Sequence, residues 1–344
     1  MRWKASPPEF VWKREFETRL GAALARRPSA ACWLALAVSY CGLMAILYAS
    51  KVPRFDAVVP LTGHLIGLGL SATAALAIRQ RAILILASGG LVTVLAHALP
   101  YYVPDRAALA VAPMAEARAE REPILKVMAF NVWRKNQDRA AMVRAIETSG
   151  ADVVMLSEVS PQRLADLAPL SATYPHAVIC ELPNCDQMLL SKLPLEASGA
   201  LPATWDQPVM VWARLAGTGP AAGVTVVSTH LYRPSRSYTV HRRQLEGLIV
   251  HLGRFEGPLI LAGDLNATSA TRTLGDLARR AGLKGAGHNL PSWPVYPLML
   301  PQFGIDHVLV RGLAIRDSGL GGYAGSDHLP VWMRIGLPQD RRPS

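Results

Sequence analysis

Two regimes of hydrophobic patterning divide the 344-residue chain. Residues 30–50, 57–78 and 82–103 are apolar runs without any Asp, Glu, Lys or Arg. Each is close to the length of about 20 residues that crosses a bilayer core as a helix. Three such runs in succession predict three transmembrane helices rather than three core helices of a soluble protein. From residue 123 onward, short apolar runs alternate with polar, helix-periodic stretches. Residues 125–133, 152–159, 176–180, 188–194, 209–215, 224–231, 258–265, 304–311 and 326–335 read as strands. Residues 137–150, 160–169, 236–252 and 271–281 read as helices. Some strands follow one another directly and others are separated by helices, which predicts an α/β or α+β domain with two packed sheets and helices outside them. The organisation expected is a basic N-terminus (1–29), a membrane region (30–104), an Ala- and charge-rich linker (105–122), one catalytic-sized domain (123–337) and a tail (338–344).

Charge adds an orientation. Residues 1–29 carry seven basic side chains (Arg2, Lys4, Lys13, Arg14, Arg19, Arg26 and Arg27), and Arg79 and Arg81 fill the short loop after the second run. Cytoplasmic loops are the Lys/Arg-rich ones, so the N-terminus is expected in the cytoplasm. Three crossings then place residues 105–344 on the far side, the periplasm if the membrane is a bacterial inner membrane. The opposing loop contains Lys51 and Arg54, which reduces the contrast. More than 25 residues of charged sequence precede the first run, and no cleavage-type ending follows it, which argues against a removable signal peptide. Cys180 and Cys185 lie five apart in the expected exported part; an oxidising compartment permits a disulfide there, and two free thiols are the alternative. Net charge is +11, and residues 123–344 hold 22 Lys/Arg against 17 Asp/Glu. A diffuse excess of this size favours anionic ligands without diagnosing nucleic acid. No feature points to a protein partner.

Candidate chemistry collects at the C-terminal ends of the predicted strands and at the starts of the last two. Asn131 closes "MAFN", Glu158 closes "VVMLSE", His230 closes "VTVVSTH", and Asp264 and Asn266 close "LILAGDLN". Asp306 lies in "GIDHVL", and Asp327 and His328 precede "LPVWM". Oxygen ligands from Glu, Asp and Asn suit a hard cation, Mg²⁺ or Mn²⁺. No HExxH motif or Cys/His ligand spacing supports zinc. A metal ion with a proton-handling His is sufficient for phosphoester hydrolysis by water, and no GxSxG serine or P-loop lysine offers another route.

In order, "FNVW", "LSEV", "STHL", "LAGDLNAT", "GIDHVLV" and "SDHLPV" resemble the endonuclease/exonuclease/phosphatase superfamily, of deoxyribonuclease-I-like fold, here in a membrane-anchored, bacterial-type form. The resemblance spans about residues 124–336. It implies an α/β four-layer sandwich of two packed mixed β-sheets flanked by helices, preceded by the three transmembrane helices. It also implies Glu158 as the principal Mg²⁺ ligand, with Asn131 and Asp327 assisting directly or through water. His328 is similar to the family's catalytic His, oriented by Asp306, with its role as base or as phosphate-binding acid open. Asp264 would position or activate the attacking water, and Asn266 and His230 would hydrogen-bond the phosphate oxygens. The sequence departs from the pattern at Trp133, where some members carry a second acid. Arg233 and Arg236 are candidates for gripping a second phosphate, or else a solvated helix start. Trp293, with Tyr296, is a candidate wall of the substrate cleft, or else a loop anchor. Taken singly, Asp264 and Asn266 are also compatible with an Asx turn. The function implied is a membrane-anchored Mg²⁺-dependent phosphoesterase acting on nucleic acid or on a lipid or head-group phosphate. The alternative is a non-catalytic membrane scaffold or ligand-binding domain of the same fold.

Overall fold

The computed structural model describes residues 28–48, 53–78, 89, 123–180, 183–286, 290–296 and 299–337. It divides into two compact units, Met1–His97 and Ala98–Ser344. The basic N-terminus, almost all of the third apolar run, the linker and the tail lie outside the described residues.

In the N-terminal unit, helix α1 (Pro28–Tyr48) and helix α2 (Thr62–Ile78) flank a 3₁₀ segment, Pro53–Leu61. The second apolar run therefore begins as 3₁₀ rather than α-helix. Pro60 within it lacks an N–H, and the Thr62 hydroxyl donates to the Val59 carbonyl at 2.6 Å, where α2 begins. The two helices meet at small residues. Ser39 Oγ donates to the Leu65 carbonyl at 2.6 Å, and a Cβ on Gly42 or Gly69 would come within 2.6 Å of Leu65 or 2.5 Å of Ser39. Close approach at Gly and Ser is how apolar helices pack where no hydrophobic effect drives them together. Among the described residues one stretch, Arg54–Leu76, is long and apolar enough to cross a bilayer; Ala30–Ile46 is apolar but shorter.

The C-terminal unit has eleven strands among its described residues: β1 (Ile124–Asn131), β2 (Val153–Ser157), β3 (His176–Ile179), β4 (Gln187–Ser191), β5 (Leu195–Leu201), β6 (Val209–Leu215), β7 (Thr225–His230), β8 (Leu259–Asp264), β9 (Asp306–Arg311), β10 (Ala314–Leu320) and β11 (Val331–Gly336). They form two mixed sheets, in the orders β10-β11-β1-β2-β4-β3 and β5-β6-β7-β8-β9. The sheets share one apolar core. Leu125, Val127 and Ala129 of β1 and Val153 and Met155 of β2 meet Val226 of β7, Ile260 and Ala262 of β8 and Val308 and Val310 of β9. Alternate residues point the other way. Met128, Phe130, Val154 and Leu156 pack under helix α3 (Arg139–Thr148) and helix α4 (Pro161–Leu167). Val227, Leu259 and Leu261 pack under helix α5 (Tyr238–Leu252) and helix α6 (Arg272–Ala281). Strands buried on both faces read as continuous apolar runs, and the result is a helix–sheet–sheet–helix sandwich. Three helices begin at side-chain caps, in which Asp138, Ser237 and Thr271 accept from Ala141, Val240 and Leu274 N–H groups.

Two strands absent from the sequence reading, β5 and β10, lie at sheet edges. A third difference is that residues 326–330 are a loop, and β11 starts only after Pro330. Cys180 and Cys185 form a disulfide at the β3–β4 connection, with Cα atoms 5.7 Å apart.

Gly263, at φ +138°, lets β8 run against β7, because a Cβ there would lie 1.9 Å from the Thr229 carbonyl oxygen. Gly263→Ala is expected to destabilise the domain by at least about 2–4 kcal/mol through combined backbone strain and overlap, measured by urea unfolding against wild type.

Candidate active site

The period-two alternation that builds the inter-sheet core turns polar at one end of the sandwich. The inward positions that follow Val127–Ala129, Val153–Met155 and Ile260–Ala262 are Asn131, Ser157 and Asp264. Pairing aligns them. Asn131 is level with Ser157 and Ser157 with Gln187, while Val209, His230, Asp264 and Asp306 form one row across the second sheet. Antiparallel β9 and β11 begin where β1, β2, β7 and β8 end, so Asp306 and the loop bearing His328 arrive at the same place.

Three side-chain hydrogen bonds cross between the sheets there. Asn131 Nδ2 donates to Asp264 Oδ2 at 3.1 Å, Ser228 Oγ donates to Gln187 Oε1 at 2.8 Å, and His328 Nδ1 pairs with Asp306 Oδ2 at 2.7 Å. His328 is placed by Ser326, whose hydroxyl donates to the Asn131 carbonyl at 2.7 Å and accepts the His328 N–H at 3.1 Å. Burial opposes charge on His328, but the charge and hydrogen bond of Asp306, with Asp264 and Asp327 nearby, lift its pKa to about 9. Burial likewise opposes ionisation of Asp306, and the imidazolium overcomes it and holds that carboxyl below its usual value. Asp264 behaves oppositely. Burial and then the Asp306 charge push it up, against His230, His328 and the Asn266 N–H.

Asp264 serves two purposes. Its Oδ1 accepts the Asn266 N–H at 2.9 Å, which makes the Asx turn, and Asn266, at φ +47°, sends its own amide to the Leu231 carbonyl at 3.0 Å. Its Oδ2 faces His230 Nε2 at 3.6 Å and His328 Nε2 at 3.8 Å. Both separations exceed a hydrogen bond, so both imidazoles stand near this oxygen without being bonded to it.

The second acidic group lies beside it. Glu158, at φ +62°, accepts from the Arg134 N–H (3.1 Å), the Asn131 amide (3.3 Å) and the Arg233 guanidinium (3.2 Å). Burial raises its pKa, but these donors and His230 together hold it below the ordinary glutamate value. Asp327 accepts from Trp293 Nε1 at 3.4 Å through Oδ2, while its buried Oδ1 has no hydrogen-bond partner among the described residues. Burial raises Asp327, and the Glu158 charge adds to it, outweighing His328 and Trp293. The Trp293 ring is 6.3 Å from the His328 ring and 6.1 Å from the Phe303 ring. Trp133, at the departing position, is held at φ +54° by donating its N–H to Asn131 Oδ1, and its ring lies 6.4 Å from Tyr296. Arg236 is exposed on the turn before α5, and among the described residues no ion pair ties it to these acids; Arg233 is the arginine that reaches them.

Several residues at the site escaped the sequence reading. Asp186, just after the disulfide, pairs with Arg134 at 3.1 Å and lies 4.0 Å from His230 Nδ1. Gln187, Ser228 and Ser326 make or support the links between sheets. Ser228 and Ser326 lay within the motifs "STHL" and "SDHLPV" without being singled out; Asp186 and Gln187 are ordinary polar residues at the start of β4, and only the register reveals them.

A two-sheet α/β sandwich that gathers acids, amides and two histidines at its strand ends is the architecture of a hydrolase working at the lip of its core. Residues 128–328, more than half of the chain, match the Endonuclease/Exonuclease/phosphatase family, and the chain belongs to that family of phosphoester hydrolases. A UPF0294 protein of Vibrio vulnificus is 23% identical over 243 residues, which cover 65% of this chain and 81% of that protein. Among solved structures, the endonuclease/exonuclease/phosphatase from Beutenbergia cavernae aligns with TM-score 0.51 at 21% identity, over 63% of this chain and 72% of that one. D. rerio TDP2 complexed with single strand DNA product aligns with TM-score 0.54 at 15% identity, over 63% of this chain and 100% of that one. At these identities the structural likeness establishes the fold.

The His328–Asp306 pair makes stability depend on pH. His328 binds its proton more tightly folded than unfolded, so this contribution is complete below about pH 6.5 and disappears as pH rises through about 9. Unfolding free energy measured with EDTA present is expected to fall across that window, by up to about 1.4 kcal/mol per pH unit. Asp306→Asn is expected to flatten the slope.

Proposed function

We propose that this chain is a membrane-anchored, divalent-metal-dependent phosphoesterase that hydrolyses a phosphodiester or phosphomonoester by attack of water. The observation that carries the reading is the pairing of two differently tuned groups across one space: a protonated His328, fixed by Asp306, and the Asp264 carboxyl, whose affinity for a proton is raised. An imidazolium that keeps its proton to about pH 9 beside a carboxyl group brings an acid and a base into one site.

The donor set fits a hard cation. Burial, with a smaller contribution from the Glu158 charge, raises Asp327, and Asp327 Oδ1 is a buried oxygen without a hydrogen-bond partner among the described residues. Glu158 and Asp327 are oxygen donors of the kind Mg²⁺ and Mn²⁺ select, and Asn131 is beside Glu158 to assist. Asp264, Asp306 and His328 also bring ligand-type atoms within 4.8 Å of one another. That trio is already committed, however, since His328 Nδ1 and Asp306 Oδ2 are joined directly, so Glu158 and Asp327 fit the ion better. A bound ion there supplies electrophilic stabilisation of a phosphoryl oxygen. The remaining steps belong to the protein. Asp264 Oδ2 would accept a proton from the attacking water as the new P–O bond forms, while the P–O bond to the leaving group breaks and that oxygen takes a proton from solvent. His328 Nε2, charged at neutral pH, donates to the phosphoryl group as negative charge develops, which makes it the phosphate-binding acid rather than the base. His230 and the half-buried Asn266 line the same end and stabilise the remaining oxygens.

The substrate phosphate belongs to nucleic acid or to a lipid or head group. The complex of D. rerio TDP2 with a single-stranded DNA product supports the first; proximity to a bilayer supports the second. Three N-terminal spans, with residues 1–29 in the cytoplasm, would place the catalytic unit in the periplasm, bound to the inner membrane. The Cys180–Cys185 disulfide supports an oxidising compartment for that unit.

Glu158→Gln and His328→Ala are each expected to lower turnover of a generic phosphodiester by about 10²–10⁴-fold while the circular dichroism spectrum is retained. Wild-type turnover in both variants would overturn the assignment of Glu158 and His328, and no turnover by the wild-type chain would favour the non-catalytic scaffold. In fractionated cells the full chain is expected in the inner membrane, with protease added to spheroplasts cutting within residues 123–337. Protection of that segment would place it in the cytoplasm.

A further inference from the structure

Arg233 stands at the point where the proposed metal must bind. Its Nη2 lies 3.2 Å from Glu158 Oε1, the same oxygen that accepts the Asn131 amide, while Oε2 is held by the Arg134 N–H. Three donors therefore satisfy one carboxylate, and one of them is a full positive charge. That charge is on a long side chain that is 41% exposed and rooted in the turn after β7, three residues beyond His230. The Glu158 side chain is only 11% exposed. A guanidinium and a divalent cation at Glu158 Oε1 repel one another and compete for an oxygen whose two lone-pair sites already serve Asn131 and Arg233. Of the three donors, the Arg134 N–H is backbone, and the Asn131 amide is fixed at the end of β1 by its bond to Asp264. Arg233 is the partner free to leave.

We infer that Arg233 is an exchangeable counter-ion that occupies Glu158 when no metal is bound and is released to the substrate phosphate when the ion arrives. The inference rests on the metal-dependent reading of Glu158 above and adds a coupling to it. Releasing Arg233 from Glu158 opposes metal binding, and the released guanidinium then favours an anion beside the ion. By linkage, phosphate must tighten metal binding to the same degree that metal tightens phosphate binding. The chemical class recognised is a tetrahedral phosphate oxyanion, which a guanidinium can grip with two parallel hydrogen bonds and an ammonium cannot. Arg233 is thus a binding residue with two alternative partners, and metal loading selects between them.

The test uses the full chain in detergent micelles and isothermal calorimetry, with Mg²⁺ alone and then with inorganic phosphate at saturating Mg²⁺. Arg233→Met is expected to bind Mg²⁺ about five- to tenfold more tightly than wild type, a modest coupling suited to a half-exposed pair. The same variant is expected to bind phosphate at saturating Mg²⁺ about tenfold more weakly. Arg233→Lys should give intermediate Mg²⁺ affinity and little recovery of phosphate affinity. A structural defect would weaken both ligands together, so opposite shifts mark the exchange. Mg²⁺ affinity in Arg233→Met equal to or below that of wild type, with an unchanged circular dichroism spectrum, overturns the inference and leaves the metal reading standing. Unchanged phosphate affinity overturns it as well. If neither chain binds Mg²⁺ at millimolar concentration, the inference and the metal reading fall together.

Discussion

The site depends on a buried carboxylate held between two sheets. Asp264 ends a strand of one sheet, and the group that reaches across to its Oδ2 is Asn131, which ends a strand of the other, 133 residues earlier. An unpaired carboxylate in that position would be costly, so the Asn131 amide, the Asn266 N–H and two histidines nearby are conditions for the fold as well as for chemistry. A hydrogen bond to a charged group contributes about 1.5–3 kcal/mol. Removing one partner of a buried charge costs more, about 3–5 kcal/mol, because the remaining group is left unmatched. The His328–Asp306 and Ser228–Gln187 links cross the same gap. Together they close the core at one end with polar contacts, where the rest of it is closed by Val, Ile, Leu and Met.

The same constraint explains why the protonation states diverge. Asp264 and Asp306 are adjacent in register on β8 and β9, both buried, and each disfavours charge on the other. Only Asp306 has a hydrogen-bonded imidazole. The proton shared among these groups therefore settles on His328, Asp306 stays ionised, and Asp264 carries the raised pKa. Tuning follows from which strand end receives the loop before β11, and that loop is held by the Ser326 hydroxyl, clamped between the Asn131 carbonyl and the His328 N–H, and by backbone bonds from Val295 to Asp327 and from Leu329 to Ser292.

Much of this was legible in the sequence. Strands buried on both faces announce themselves as unbroken apolar runs, and β1, β2, β7, β8 and β9 were readable for that reason. So were the polar residues at their ends, because a Glu, Asp or His after four apolar residues stands out. The strands that escaped, β5 ("LEASGAL") and β10 ("AIRDSGL"), are edge strands with much of their length in solvent. Each contains a glycine overlaid by a tryptophan from its neighbour, Gly199 by Trp212 and Gly319 by Trp332, at paired register positions. An apolar contact supplied by the adjacent strand leaves no trace in the strand's own pattern. Asp186 and Gln187 escaped for a related reason: their importance comes from partners on β1, β2 and β7, not from their neighbours in sequence. The apolar N-terminal runs were legible only as composition, and the second of them, uniform in sequence, starts as a 3₁₀ segment that contains Pro60.

Arg134 and Arg233 show how acids gathered at one end of the sandwich are matched by the chain's own cations. Both arginines come from loops that follow site strands, one from each sheet, and each neutralises an acid at the mouth, Asp186 and Glu158 respectively. Acids gathered at one end of a sandwich repel one another during folding, and a protein that waited for a metal ion to relieve that repulsion would fold only in its presence. Internal guanidinium partners remove that dependence. The two arginines differ in what they can give up. Arg134 also contributes a backbone N–H to Glu158 and so remains attached whatever its side chain does, whereas Arg233 contributes the side chain alone. That difference makes Arg134 part of the scaffold and leaves Arg233 free to change partners.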